Sequence, residues 1–171
     1  MTVPLKKILS LIGVATLALS CSQGSLSERD ARLEQLRFQA EAKRRELQKV
    51  VGEYSGKSEQ STGASHDIFL RLEIKDIPTP VEGQPEPVMM PALSGFLRFY
   101  LGSGPMEYIV FAIDKAGFDV AQNKIEFSSS NSEYKELIAS LTRTESELKG
   151  TWSAPSMAAS GTFSLTRNQN N

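Results

Sequence analysis

The chain predicts a mainly β protein: one N-terminal α-helix followed by a small antiparallel up-and-down β-barrel of seven to nine strands. Three observations predict it. Residues 28–49 are rich in Arg, Glu, Leu, Ala and Gln and contain no Gly or Pro. After Lys49 apolar residues recur with period two, broken at short intervals by turn residues, the spacing of a sandwich or barrel rather than of βαβ units. Glycines stand two residues before an aromatic ring at both ends of this β region: Gly52/Tyr54, Gly150/Trp152 and Gly161/Phe163. Such a glycine shares a face with its ring and relieves crowding where a curved sheet bends. Its presence at both ends predicts that first and last strands pair and close a barrel.

The first element is a leader. Lys6 and Lys7 precede an almost wholly apolar run, Ile8 to Leu19. That run is too short to cross a bilayer core of about 30 Å, which takes roughly 20 residues, and it reads as a cleaved secretory signal over residues 1–20. Ala18-Leu19-Ser20-Cys21 resembles the lipobox of bacterial lipoproteins. The resemblance implies cleavage before Cys21, acylation of its thiol and of the new amino terminus, and anchoring of the chain in a membrane. Ser22 follows, where this family uses Asp to retain a protein at the inner membrane, so the resemblance implies the outer membrane of the bacterial envelope. Ala18-Leu19-Ser20 also fits the small-x-small rule of ordinary signal peptidase. That enzyme would cut the same bond and leave Cys21 a free thiol. Cys21 is the sole cysteine, so no disulfide within the chain is available.

Loss of residues 1–20 removes two lysines and no acid, taking the formal charge from -1 to -3. Neither value suggests a nucleic-acid partner. The mature remainder is one domain by length. Residues 21–27 form a polar tether. Residues 28–49 form a charged helix that opens with Ser27 as N-cap and Asp30 reaching back. Leu33, Leu36, Ala40, Leu47 and Val50 make its apolar stripe, broken by Lys43, with Phe38 off the stripe. An amphipathic helix packed on the barrel and a dimerising or partner-binding arm both fit this pattern. The cluster Lys43-Arg44-Arg45 is diluted by Glu41 and Glu46 and reads as a solvated face.

Residues 50–167 form the β domain. Ile68, Leu70, Leu72 and Ile74 share one face of a strand spanning His66–Ile77. Leu93, Gly95, Leu97, Phe99 and Leu101 alternate with Ser94, Phe96, Arg98 and Tyr100. Gly102–Pro105 and Asp114–Gly117 read as turns on either side of a strand from Met106 to Asp114. Phe118–Phe127 reads as one strand or as two folded at Gln122-Asn123. Tyr134–Thr144 reads as a strand, although Ser132–Leu141 also has helical character. Strands at 148–153 and 160–167 follow, then a polar tail at 168–171. Between the second and third strands, Pro78 to Pro91 carries five prolines and reads as a long, extended loop. Met89 and Met90 there are adaptable apolar contacts, suited to a partner surface or to capping a barrel end. In architecture this β domain resembles the lipocalin-like and avidin-like small barrels known as calycins, although lipocalins place Gly-x-Trp on the first strand, where this chain has Gly52-Glu53-Tyr54.

No chemistry-bearing motif stands out. One histidine, His66, reads as a surface residue at a strand start, and with no second His a zinc site is not suggested. No nucleophile elbow or nucleotide loop is present. No cofactor is expected, and the expectation is a non-enzymatic protein. Two functions fit. In one, an anchored barrel holds an apolar or amphipathic ligand in its interior, lined by Tyr54, Phe99, Trp152 and Phe163. In the other, a solid barrel contacts an envelope protein through the Pro-rich segment, with Met89 and Met90, and through the helix.

Overall fold

The computed structural model describes residues 28–102, 107–131 and 135–169. The leader, Cys21 and the tether therefore lie outside the described residues, as do most of the turn expected after Gly102 and the last two residues of the tail. A helix, α1, covers residues 28–48. Eight strands follow: β1 (Gly52–Gln60), β2 (Ser65–Thr79), β3 (Val88–Tyr100), β4 (Tyr108–Asp119), β5 (Lys124–Asn131), β6 (Lys135–Arg143), β7 (Glu147–Ala154) and β8 (Ala159–Arg167). A single 3-10 turn, Pro155–Met157, joins the last two.

Each strand pairs antiparallel with the next, and the sheet closes into a barrel. The closing seam joins β1 to β8 from Tyr54↔Arg167 to Gln60↔Gly161. The Gly-x-aromatic pairs sit at this seam and beside it. Gly150 lies opposite Phe163, and Gly161 lies opposite Trp152. Each glycine thus makes room for a ring on the neighbouring strand as well as for its own. A Cβ on Gly161 would stand 2.1 Å from the Glu59 carbonyl oxygen and 2.8 Å from Trp152 Nε1, so this corner has no space for any side chain. Gly95 has φ +153°, and its Cβ would lie 1.8 Å from the Arg71 carbonyl oxygen, which marks a second sharp bend.

The alternation places Tyr54, Ile68, Leu70, Leu72, Leu97, Ile125, Leu137, Leu141, Leu148, Phe163 and Leu165 inside, each almost fully buried. Together they fill the middle of the barrel, as side chains do in barrels of about eight strands. One end, the near end, receives α1. Leu47 and Val50 are buried and belong to the same core cluster, so the end of the helix plugs this opening. Tyr54 Oη donates to the Val50 carbonyl at 2.8 Å, and Arg167 donates to the Val51 carbonyl. The C-terminal ends of β1, β3, β5 and β7 lie at the opposite, far end.

Two sequence expectations are corrected, and two left open are decided. Asp114–Gly117 is no turn. The chain runs through it within β4, and the pairing with β5 slips between Ile113 and Lys115. A β-bulge absorbs the extra residue and lets turn-like residues stay in the ladder. The real turn covers residues 120–123. Asp119 Oδ1 accepts from the backbone N–H groups of Ala121 and Gln122, at 2.9 and 3.1 Å, and Asn123 takes φ 55°, so Phe118–Phe127 is split between β4 and β5. The Pro-rich segment is no long loop. Its pairing continues to Thr79↔Val88, leaving only residues 80–87 as a connection. The pairing with β1 begins at Leu72, and that with β4 at Leu93. Beyond these points β2 and β3 form a two-stranded arm whose outer edges pair with no other described strand, where a missing proline N–H costs no ladder bond. The strand expected at Tyr134–Thr144 is β6, Lys135–Arg143, and the helical character of Ser132–Leu141 is not expressed in its described part.

Helix α1 runs beside this arm. Its side chains Leu33, Arg37, Ala40, Glu41 and Arg44 form one groove with Gln84–Met89. Arg44 pairs with Asp76 of the arm, and the Arg29 guanidinium lies near Gly83. The predicted stripe is the face that α1 turns inward: Leu33 and Leu36 are half-buried, and Ala40 and Leu47 are buried. Phe38, off the stripe, is 70% exposed. The apolar face is therefore already covered by the chain's own arm and core.

Candidate functional site

The ring residues singled out in the sequence are all buried, but only some converge. Phe99, Trp152 and Phe163 form one cluster with centroids 5.8–5.9 Å apart. Trp152 and Phe163 stack, and Phe111 meets Phe99 edge-on at 5.8 Å. Such pairs contribute about 0.5–1.5 kcal/mol beyond their area burial. Tyr54 stands apart near the helix plug. Burial raises its hydroxyl pKa above the usual value of 10, with Arg167 and then Arg143 opposing the shift.

The far end opens into a pocket of about 210 Å³. Phe99, Phe111, Leu137 and Trp152 line its apolar side, and Leu101, Ile109, Met157 and Ala159 also bound it. Gln60 and His66, on adjacent strands, are its polar members. Of the four predicted contacts, Phe99 and Trp152 line this pocket. Tyr54 and Phe163 do not: they are core residues, because the interior beneath the pocket is filled. His66 is half-buried at the start of β2 and lines the mouth, a placement more specific than a surface residue. Its position opposite Ser58 points it inward, a relation that required the strand register.

Two buried donors near this end lack partners among the described residues: Ser58 Oγ and Trp152 Nε1. Ser58 pairs with both His66 and Phe163 across the sheet. Buried hydroxyl and indole groups normally find an acceptor, so this end of the barrel is less well satisfied than its middle.

Met89 and Met90 are not at the barrel mouth. They belong to β3 within the arm, opposite Pro78 and Ile77, on the near side of the molecule. Met89 is 48% exposed and borders the groove shared with α1. A depression of about 850 Å³ follows the line where β3 and β4 slip register. Its walls carry exposed Glu73, Lys75 and Asp76, and Asp76 is already paired with Arg44.

The outer wall of β2–β4 holds a feature that the sequence reading did not single out. Phe69 and Phe96 meet at 5.8 Å, and Tyr100 and Tyr108 at 6.1 Å. Arg98 lies between the pairs, 4.5 Å from the Tyr108 centroid and within 6.0 Å of the other three. Its guanidinium donates to Tyr100 Oη at 3.3 Å, while Nε has no partner among the described residues. The signal was present in the alternation: Phe96, Arg98 and Tyr100 share the face opposite Leu97 and Phe99.

No protein-family model, curated protein or solved structure matches the chain.

Proposed function

We propose that the protein is a membrane-anchored lipoprotein of the bacterial envelope whose barrel binds a small apolar or amphipathic ligand at its far mouth. The observation that carries this reading is the apolar pocket of about 210 Å³ open between the strand ends. A filled interior beneath it argues against carriage of a long chain inside the barrel. The lipobox-like Ala18–Cys21 sequence supports the anchor. Two or more acyl chains hold a protein stably, at about 0.8 kcal/mol per buried methylene. The start of α1 lies beside the arm tip, where Arg29 approaches Gly83, at the end of the molecule away from the pocket. In this reading the protein is not an enzyme, and neither a cofactor nor nucleic acid takes part.

Native mass spectrometry of protein purified from its own membrane tests the reading. The expected result is a mature chain beginning at Cys21, carrying acyl groups, with a small co-purifying molecule. A mature chain without acyl groups, as soluble as Cys21→Ser, would sink the anchor. A second reading, a barrel that works by contacting an envelope protein, is favoured by the Arg98 ring cluster on the outer wall. It draws less support from α1, whose apolar stripe is already occupied.

A further inference from the structure

We infer that the mouth is a one-ring site: it takes a small cyclic molecule bearing a single hydroxyl or carbonyl, with the ring on the aromatic side and the polar group toward Gln60 and His66. This rests on the ligand-binding reading above and names the class of ligand. Size comes from volume. A cavity of about 150 Å³ is enough for benzene, and sites for drug-sized molecules start at about 300 Å³. The pocket, about 210 Å³, lies between, room for one ring and a short substituent. Depth gives the same limit, because Phe163, Ile68 and Leu70 are almost fully buried beneath it and leave a chain no way inward.

Polarity comes from the two sides of the lining. Phe99, Phe111, Leu137 and Trp152 form an apolar wall, whereas Gln60 and His66 lie together on β1 and β2. A purely apolar ligand would desolvate those two side chains without replacing their hydrogen bonds, a net loss. A ligand with one polar atom on that side avoids the loss.

The test uses the sole tryptophan of the chain. In ¹⁵N-labelled mature protein its indole N–H gives one resonance. Benzyl alcohol, toluene and laurate are titrated separately. Benzyl alcohol is expected to shift the resonance saturably and to bind roughly two- to tenfold tighter than toluene, the range of one hydrogen bond. Laurate is expected to cause no saturable shift. Ala159→Phe, placed at the half-buried rim, is expected to abolish binding, and Gln60→Leu/His66→Leu to equalise the two ring probes. Both variants are checked for cooperative thermal unfolding, and the comparison among probes on the wild-type chain stands without them. Saturable binding of laurate but of neither ring would overturn the one-ring site and leave the ligand-binding reading standing. Equal affinity for benzyl alcohol and toluene in the wild type would overturn the role of Gln60 and His66. No response to any probe would overturn both readings.

Discussion

Tyr54 shows how one side chain joins two parts of the molecule. Its ring is in the core, while its hydroxyl donates to the Val50 carbonyl where the helix meets the barrel. Tyr54→Phe is expected to cost about 0.5–1.5 kcal/mol, read by urea denaturation at neutral pH. The raised hydroxyl pKa has a definite consequence. Above pH 10 the unfolded chain releases this proton before the folded one does. The folded state then holds more protons, and stability falls as pH rises. The contribution is fully present below pH 10 and is lost as pH climbs through the folded value. Wild type is therefore expected to show a steeper alkaline loss of stability than Tyr54→Phe, measured as unfolding midpoints between pH 9 and 12. The inward direction of Tyr54 was legible from Gly52-x-Tyr54. Its distance from the mouth was not, because strand alternation reports a face and not a depth.

At the scale of elements, the stripe of α1 was legible and its use was not. Leu33, Leu36, Ala40, Leu47 and Val50 form the same periodic pattern whether a helix meets a second copy or its own barrel. Arm and core decide the case by covering that face. Leu47, 4% exposed in the plug, and Phe38, 70% exposed, give a matched comparison. Leu47→Ala is expected to destabilise by about 2–5 kcal/mol, and Phe38→Ala by no more than about 0.5 kcal/mol, both from chemical denaturation. The arm is the opposite lesson. Five prolines from Pro78 to Pro91 argue locally against a strand; three of them fall in the 80–87 connection, and Pro78 and Pro91 are tolerated within β2 and β3 because this ribbon has free edges. At Asp114–Gly117 a bulge likewise overrides local turn chemistry.

For the whole molecule, closure dominates. The seam pairs Tyr54 with Arg167 and Gln60 with Gly161, residues near opposite ends of the β domain. Loop-closure entropy must be met before those contacts form, which places such barrels in the millisecond-to-second folding range. Refolding followed by stopped-flow Trp152 fluorescence is expected in that range. Trp152 reports on assembly of the barrel through its ring contact with Phe99 of β3, whereas its pairing with Gly161 and its stacking on Phe163 lie within the β7–β8 hairpin. A microsecond phase with full amplitude would show that the ring cluster forms without closure.

The sequence by itself determined the class of the molecule: a charged helix, strands of period two, and closure marked by Gly-x-aromatic pairs at both ends. These are local signals, carried by residues that face each other or share a face within a few positions. Tertiary structure alone decided which rings line the pocket and which fill the core, that His66 and Gln60 meet at the mouth, and that the Pro-rich segment continues as an arm beneath the helix. Those outcomes depend on register, bulges and depth along the barrel axis. Each is set by pairing between residues distant in the chain, and no single stretch of residues encodes it.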